Sequence, residues 1–211
     1  MPIKKIAEAD FPTRWGHFRI YGFEGYVPGT PAACSPDGTE RRKEHAVALV
    51  MGDIHTEPPL VRIHSQCLTG DVFHSMRCDC RQQLELALAK ISDLGRGILI
   101  YEDQEGRGIG LMAKLQAYEL QDHGLDTVEA NLKLGYEADC RSYALPVEIL
   151  KLLGVSRLRL LSNNPEKVEA VQAAGIEVVE RVAADVEVYE SNAKYIRTKR
   201  EKMGHMFTPF D

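Results

Sequence analysis

A cluster of cysteines most constrains how this chain folds. Three of its five cysteines, Cys67, Cys78 and Cys80, lie close together among small and polar residues rather than in an apolar pattern. Thiolates at such a spacing are typical ligands of a borderline cation such as zinc. A structural zinc site has four protein ligands, which His64 or His74 would complete, whereas a catalytic site keeps three and leaves one position for water. The stretch predicts a metal site of either form, against the plainer alternative of packed thiols.

The composition is that of a globular protein with an acidic surface. The chain has 211 residues, of which 44% are hydrophobic and 27% charged, and a net charge of −5 at pH 7. This length buries a real core, and the negative charge argues against nucleic acid or an acidic membrane surface as the main partner. A local group of arginines and lysines is still able to hold a nucleotide.

The N-terminal residues and the cysteine usage predict a cytoplasmic protein. The first residues carry no apolar segment of the kind found in signal peptides. No apolar run approaches the length needed to cross a bilayer. Clustered cysteines, odd in number, fit a reducing compartment and a metal better than a disulfide framework.

Hydrophobic periodicity predicts a mixed α+β fold, formed by residues 1–211 as a single domain. The front of the chain alternates as strands, whereas from Cys80 onward helical and strand patterns follow one another. We expect an exposed loop over 27–44, with Cys34 as a bystander, and a basic, solvated helical tail over 189–211. The predicted strands lie near 17–23, 46–51, 60–63, 97–101, 157–161 and 176–179, and the helices near 84–94, 111–120, 126–137, 146–153 and 165–175.

Two polar turns, each between a predicted strand and a predicted helix, indicate anion binding. The first is the glycine-rich run Gln104–Gly110, and the second is Ser162–Lys167, in which a proline fits the first helical position. Backbone N–H groups at such turns favour an anion. The first lacks the residues of a P-loop, and a solvated turn or a plain capped helix explains each run equally well when it is taken alone.

A third polar run contains Asp139 and Arg141, two residues apart. These side chains form either a surface ion pair or two groups that face a cleft from an extended segment. Cys140 between them is predicted to be a small packed residue rather than a fourth zinc ligand.

Taken together, the motifs resemble those of the GTP cyclohydrolase II family, which opens the route to riboflavin. They occur in the family order from Arg62 to about Arg181, and the closing Lys202-Met-Gly-His is similar too. The motifs are His64-Ser-Gln-Cys-Leu-Thr-Gly-Asp, Arg77-Cys-Asp-Cys, Gln104-Glu-Gly-Arg-Gly-Ile-Gly-Leu, Asp126-Thr-Val-Glu-Ala-Asn and Asn163-Asn-Pro-Glu-Lys.

For the purine ring, the resemblance implies one zinc ion per chain, held by Cys67, Cys78 and Cys80. A water at the metal then attacks C8 of the guanine, which opens the imidazole ring and releases formate. Three thiolates make the site anionic, so a nearby proton donor or acceptor would assist. Tyr118 matches the family tyrosine near that chemistry.

For the triphosphate, the resemblance implies release of pyrophosphate, with Asp139 as proton acceptor and Arg141 as nucleophile at the α-phosphorus. A guanidinium is almost always protonated, so charge stabilisation is the less demanding role for Arg141. Mg²⁺ bridging the phosphates is expected on the same electrostatic grounds. The implied GTP contacts are Arg62, Ile63, His64, Ser65, Gln66, Gln83, Glu105, Gly106, Arg107, Thr127, Ser162 and Lys167, with the Glu105 carboxylate accepting from guanine N–H groups.

The resemblance therefore implies hydrolysis of GTP to 2,5-diamino-6-(5-phosphoribosylamino)pyrimidin-4(3H)-one by a monofunctional homodimer. The alternatives are a paralogue that stops at a formylated intermediate and a zinc-stabilised module that binds GTP without turnover. Three departures from the family pattern bear on affinity and rate: Gln66 in place of Glu, Arg81 in place of Gly, and the acidic pair Glu102-Asp103.

Overall fold

The structure is a computed structural model that describes residues 3–28, 34 and 41–208. Among these residues seven strands form one sheet, and none of the helices is long and apolar enough to cross a membrane. The strands are β1 (Lys4–Thr13), β2 (Gly16–Pro28), β3 (Arg41–Met51), β4 (Leu60–Ser65), β5 (Gly97–Glu102), β6 (Arg157–Leu161) and β7 (Glu177–Val182). The helices are α1 (Cys80–Leu94), α2 (Leu111–Asp122), α3 (Thr127–Lys133), α4 (Ala144–Leu152), α5 (Pro165–Ala173) and α6 (Glu190–Lys202).

The sheet has an antiparallel half and a parallel half. Its strand order is β1-β2-β3-β5-β4-β6-β7, and β1, β2, β3 and β5 pair in antiparallel fashion. The neighbours β5, β4, β6 and β7 pair in parallel. Parallel neighbours need a crossover, usually a helix, which explains why the helices follow β4, β5 and β6. The structure confirms the predicted mixed α/β fold class.

Each face of the sheet packs against helices because the central strands alternate their side chains. Ile98 and Ile100 of β5 lie in one core cluster with Ile149 of α4. Leu99, between them, lies in a second cluster on the opposite face with Ile91 of α1. The nearly continuous apolar run of β5 is thus a strand covered on both faces.

The predicted helices and strands are present, and β1 is the strand that the sequence pattern did not predict. Nearly every residue of β1 is exposed, so the strand has no buried face to impose an alternating pattern. Most of the predicted loop over 27–44 lies outside the described residues. Of the parts that are described, 27–28 belong to β2 and 41–44 to β3, and Cys34 lies between these strands.

The first part of the predicted helical tail is helical, since α6 spans Glu190–Lys202, whereas residues 203–208 form no helix, and the prediction that the tail is solvated is wrong. One face of α6 is buried through Asn192, Ile196, Thr198 and Lys199. Lys194 of the same helix donates hydrogen bonds to the carbonyl oxygens of Gly124 and Leu125, at 2.9 and 3.1 Å. The charged residues of α6 led to the prediction of a solvated helix. Some of them instead attach the helix to the rest of the protein.

Two cysteine predictions are also wrong. Cys34 and Cys140 form a disulfide with a Cα–Cα distance of 5.4 Å, so Cys34 is not a bystander and Cys140 is not merely a packed thiol. They are separated by 106 residues in sequence, a distance at which spacing carries no information on pairing. The disulfide joins the segment between β2 and β3 to the run that contains Asp139 and Arg141.

Candidate active site

One cavity lies at the carboxyl ends of β4, β5 and β6. These strands are neighbours in the parallel half of the sheet, so the loops that follow them meet at one edge. Gln66 follows β4, Gln104 follows β5, Ser162 follows β6, and all three line the cavity. Ligands of α/β sheets commonly bind at this edge. The topology thus brings together motifs that are distant in the sequence.

The three clustered cysteines meet in this cavity. Cys67 precedes a short helical turn, Leu68–Val72, while Cys78 and Cys80 flank the start of α1. Their sulfur atoms all lie within 4.8 Å of one another. Neither His64 nor His74 belongs to this group of ligand atoms, so within the described chain no histidine completes a closed four-ligand site.

The geometry of the cluster fits a zinc ion held by three thiolates. Gly70 lies against it, where a Cβ would be 3.0 Å from Cys78 Sγ and 3.1 Å from Cys67 Sγ. Hydrogen bonds from the Cys78 and Cys80 thiols hold the pKa of Cys67 far below its usual range, and the Cys67 thiolate in turn raises the pKa of both partners. Three thiols that share a negative charge at this distance are a donor set suited to a divalent cation.

Lys114 of α2 adds a positive charge to the cluster. Its buried ammonium group donates to Cys67 Sγ at 3.2 Å and to Glu105 Oε1 at 2.7 Å. Burial would lower the pKa of Lys114, but the Cys67 thiolate and Glu105 raise it well above its ordinary value. A permanently charged lysine therefore offsets part of the negative charge of the thiolates.

Tyr118 lies one helical turn beyond Lys114 and faces the same cluster. Its hydroxyl group is 3.1 Å from Thr69 Oγ1, which is itself 3.6 Å from Cys67 Sγ. Burial raises the pKa of Tyr118. The phenol thus keeps its proton near neutral pH and is placed to donate it beside the thiols.

His64 stabilises the short turn Leu68–Val72, which follows Cys67. Its Nε2 lies 3.2 Å from both carboxylate oxygens of Asp71, which also accepts hydrogen bonds from the Cys67 N–H and the Tyr101 hydroxyl. Burial lowers the pKa of His64, so the imidazole is neutral. The contacts of His64 fix the position of Cys67 through Asp71.

Glu105 is engaged by the protein itself. Its carboxylate accepts hydrogen bonds from the N–H groups of Leu68 and Gly106, at 2.7 and 2.8 Å, in addition to the one from Lys114. These contacts hold the glycine-rich run Gln104–Gly110 against the turn Leu68–Val72 that follows Cys67. They occupy three of the about four acceptor positions of the carboxylate, so Oε2 keeps one for the guanine contact that the resemblance implies.

Asp139 and Arg141 form an ion pair rather than two free groups. Arg141 Nε donates to both Asp139 oxygens, at 2.9 and 3.1 Å, and Nη2 makes a further short contact. Burial would raise the pKa of Asp139, but the guanidinium groups of Arg141 and Arg107 hold it below its usual range. Burial would lower the pKa of Arg141, but Asp139 raises it well above its ordinary value. Both side chains therefore stay charged.

Lys167 and Arg62 add two further basic side chains to the lining of the cavity. Lys167 Nζ donates to the Ile63 carbonyl oxygen at 2.8 Å, and Arg62 donates to the Leu161 carbonyl oxygen at 3.0 Å and to Gln83 Oε1 at 2.5 Å. Burial and the nearby Arg62 and Arg141 charges lower the pKa of Lys167 well below its ordinary value. A bound anion would favour the charged form of Lys167 and raise this pKa.

Most of the predicted site residues line this one cavity. Two do not: the Ile63 side chain lies in the hydrophobic core, and Asp139 reaches the site only through Arg141. The predicted residues in the lining are Arg62, His64, Ser65, Gln66, Cys67, Cys78, Cys80, Gln83, Glu105, Gly106, Arg107, Tyr118, Thr127, Arg141, Ser162 and Lys167.

Other residues of the lining were not among the predicted site residues, including Lys114, Tyr195, Lys199 and His205. Lys114 lies on α2, while Tyr195, Lys199 and His205 belong to α6 and the segment after it. Lys199 donates to Asp79, between Cys78 and Cys80, at 2.6 Å. The similarity of the closing Lys-Met-Gly-His was the one signal that pointed to this part of the chain.

The three departures are accommodated locally. Arg81 lies in the first turn of α1 and donates to the Asp71 carbonyl oxygen at 2.7 Å. Burial raises the pKa of Glu102, whose carboxylate accepts a hydrogen bond from Ser65 Oγ at 2.7 Å, and Asp103 is exposed beside His45. Gln66 lines the cavity beside Cys67.

Comparisons with known proteins agree with this geometry. The family model described as GTP cyclohydrolase II matches residues 4–183. The GTP cyclohydrolase-2 of Proteus mirabilis (strain HI4320) is 54% identical over 207 residues, covering 98% of this chain and 97% of the relative. That of Histophilus somni (strain 2336) is 53% identical over 204 residues, or 96% and 88% of the two chains. That of Cronobacter sakazakii (strain ATCC BAA-894) is 51% identical over 209 residues, or 99% of each.

A solved structure is also similar. RibBX, a two-domain 3,4-dihydroxy-2-butanone 4-phosphate synthase from A. baumannii, aligns with 87% of this chain and 40% of its own chain, at 20% identity and a TM-score of 0.46. The family model covers most of the chain, and these relatives share about half of their residues with it over nearly its whole length. This chain therefore belongs to the GTP cyclohydrolase II family of hydrolases.

Proposed function

We propose that this hydrolase converts GTP to 2,5-diamino-6-(5-phosphoribosylamino)pyrimidin-4(3H)-one, with release of formate and pyrophosphate, as the first step of riboflavin synthesis. The observation that carries the proposal is that a single cavity joins the three clustered thiols to Tyr118, Arg141 and Lys167. A site of this kind presents a metal centre to one end of a nucleotide and cations to the other.

For the ring-opening step, we assign the metal to Cys67, Cys78 and Cys80. Zinc held there would supply a water of lowered pKa and a positive charge beside the ring as negative charge develops. Tyr118 keeps its proton because burial raises its pKa, so it donates a proton to the ring nitrogen as the ring opens. Lys114 stabilises the thiolate cluster through its contact with Cys67.

For the phosphate step, Arg141 stabilises the charge of the transferring phosphoryl group. The ion pair with Asp139 keeps its guanidinium protonated and holds the fork in one orientation, which does not suit a nucleophile. Because the Asp139 carboxylate is engaged by Arg141 and its pKa is lowered, Asp139 orients the arginine. Lys167 meets the phosphates beside it, and Mg²⁺ bound with the nucleotide would neutralise part of the phosphate charge.

The decisive experiment incubates the zinc-loaded protein with GTP and Mg²⁺ and measures formate and pyrophosphate separately. We expect both products in equal amounts, accompanied by the absorbance change of ring opening. Bound GTP and intact zinc without turnover would contradict the proposal. Formate without pyrophosphate, or retention of the formyl group, would favour the paralogue that stops at an intermediate.

Two variants separate the steps. Cys78→Ser removes a proposed zinc ligand and abolishes ring opening, whereas Arg141→Ala keeps zinc and loses the phosphate chemistry. Zinc content of each variant, measured by elemental analysis, accompanies the product assays. Equal zinc loss in both would contradict these assignments. If zinc removal unfolds the wild type, the non-catalytic binding module becomes the better description.

We also propose that the chain is a single catalytic domain that works as a homodimer in the cytoplasm, where the reducing conditions would open the Cys34–Cys140 disulfide. The resemblance to the family supports the dimer, and the acidic composition supports a nucleotide rather than a nucleic acid as the partner. Light scattering during gel filtration measures the mass of the assembly. A mass of one chain would contradict the dimer.

A further inference from the structure

The segment after α6, residues 203–208, is fastened across one side of the cavity. The His205 N–H donates to the Lys199 carbonyl oxygen at 3.1 Å, and the Met206 N–H donates to the Asn163 carbonyl oxygen at 2.8 Å. Further along, the Thr208 N–H donates to Asp185 at 3.1 Å. These bonds tie the segment to α6 and to the loops after β6 and β7, so His205 is held at a fixed position at the cavity wall.

Within the described chain, the His205 side chain has no protein partner for either ring nitrogen. Both nitrogens are buried, and His205 lines the cavity. Its ring stacks on Phe207, with centroids 6.0 Å apart, which fixes the orientation of the imidazole. A buried donor and a buried acceptor without partners are costly and rare in native proteins, so the arrangement indicates a ligand that supplies the missing bond.

The surroundings of His205 specify an anion. Burial and the charges of Lys199, Arg141, Arg107 and Lys167 lower its pKa to about 2, so the imidazole is neutral among cations. Arg107 Nη2 likewise is buried without a partner in the described residues. An anionic oxygen placed here accepts an N–H from His205 and offsets the positive charges of its neighbours.

We propose that His205 is a substrate-contacting residue that donates a hydrogen bond to the polyphosphate of the nucleotide, and that residues 203–208 form one wall of the substrate site. The inference deepens the proposed function and depends on it for the identity of the ligand. The cationic neighbours place the contact at the phosphates, so it distinguishes a triphosphate from the bare nucleoside.

The test compares His205→Phe, which keeps a ring to stack on Phe207, with His205→Gln, which keeps an N–H donor. The control is His17→Gln, since His17 is exposed on the β1–β2 hairpin and pairs with Asp10. Calorimetry on the zinc-loaded proteins measures binding of a GTP analogue with a methylene bridge between the α and β phosphorus atoms, and binding of guanosine.

We expect His205→Phe to bind the analogue about ten- to a hundred-fold more weakly, the range for a lost hydrogen bond to a charged group, while guanosine binding is unchanged. His205→Gln recovers most of the affinity, and His17→Gln behaves as wild type. Wild-type affinity of His205→Phe for the analogue would overturn the inference, as would an equal loss for guanosine.

The outcomes separate this inference from the proposed function. Full turnover of GTP with unaltered analogue binding by His205→Phe overturns the role of His205 alone. Analogue binding that depends on His205, in a wild type that releases no formate, overturns the proposed reaction and leaves the phosphate contact standing.

A second measurement covers the case in which His205→Phe fails to fold. Nitrogen NMR of the imidazoles in wild type, with the His205 signals assigned by their absence in His205→Gln, follows the addition of inorganic tripolyphosphate. A shift of the His205 signals supports the contact, and unchanged His205 signals with saturating tripolyphosphate overturn it.

Discussion

Gly70 supplies no ligand, but the close packing of the three thiols leaves no room for a side chain at this position. A Cβ at this position would lie 3.0 Å from Cys78 Sγ and 3.1 Å from both Cys67 Sγ and Cys80 Cβ. We expect Gly70→Ala to weaken zinc binding about ten- to a hundred-fold, the equivalent of the about 1–3 kcal/mol that overpacking costs. Competition with a chromogenic chelator measures the affinity.

The chain offers a matched control for this substitution. Gly22 in β2 has no atom within 4 Å of an added Cβ and is not in the left-handed region, so Gly22→Ala tests the same change away from the metal. We expect its zinc affinity to equal that of wild type. If both variants hold zinc as wild type does, the cysteines are able to move apart and the close packing at Gly70 is unimportant.

The sequence predicts some residues of this site and not others for a physical reason. Cys67, Cys78 and Cys80 are near one another in the chain, so their residue type and spacing alone indicate the chemistry. Lys114 contacts Cys67 only because α2 packs beside the turn that follows Cys67. A lysine in a helix is ordinarily exposed, and nothing local to it distinguishes the buried one.

Helix α6 is attached to the site through a buried ion pair. Lys199 donates to Asp79 at 2.6 Å, and Asp79 is fully buried between two of the proposed zinc ligands. Lys199→Met leaves this carboxylate buried and unpaired, so we expect a loss of about 3–5 kcal/mol in the free energy of unfolding. Urea denaturation of the zinc-loaded protein measures the loss.

Lys151→Met is the control for that prediction. Lys151 pairs with Glu148 on α4 at 2.8 Å, but both side chains are nearly half exposed. An exposed pair of this kind contributes about 0–1 kcal/mol, so the control should unfold close to wild type. Equal stability of the two variants would mean that the attachment of α6 does not depend on Lys199.

The Cys34–Cys140 disulfide also joins two parts of the chain that are distant in sequence. It closes a loop of 106 residues in sequence separation, and in the chain-entropy account a disulfide stabilises mainly by restricting the unfolded state. We expect Cys34→Ser to lose about 2–4 kcal/mol in urea denaturation without reductant. Wild type in the presence of a dithiol reductant should match the variant. Equal stability of oxidised wild type and variant would show that the bond does not stabilise the fold.

Strands and helices could be predicted where one of their faces is buried. The alternation in β2 and β3, the continuous apolar run of β5 and the helical stripe of α1 reflect burial in the core, whereas β1 is exposed on both faces and carries no such pattern. The charged sequence of α6 predicts a helix but conceals its buried face, because the buried groups include Lys199 and Thr198. Partners at long range in sequence decide which charged residues are internal.

The charge of the protein is distributed so that an acidic molecule contains a cationic cavity. The net charge is −5, yet the described residues that line the cavity include seven cations and a single carboxylate, that of Glu105. Cations confined to a cleft attract a polyanion even when the surface around them is negative. The cations are Arg62, Arg77, Arg107, Lys114, Arg141, Lys167 and Lys199.

This concentration of charge makes binding of a polyphosphate dependent on pH. Burial, together with Arg62 and Arg141, lowers the pKa of Lys167 well below 10.5 in the free protein. A bound polyanion favours the charged form and raises this pKa, so Lys167 takes up a proton when the ligand binds. In the window between the lowered pKa and 10.5, we expect the affinity for the methylene-bridged GTP analogue to fall as pH rises.

Calorimetry in buffers of different ionisation enthalpy measures this proton uptake directly. Lys167→Met removes the titrating group, and we expect its binding to be weaker and its proton uptake smaller than those of wild type. Lys151→Met, altered at an exposed lysine outside the cavity, should keep the wild-type uptake. If proton uptake is the same in Lys167→Met and wild type, another group takes up the proton. That result would contradict the prediction that Lys167 is protonated when the phosphates bind.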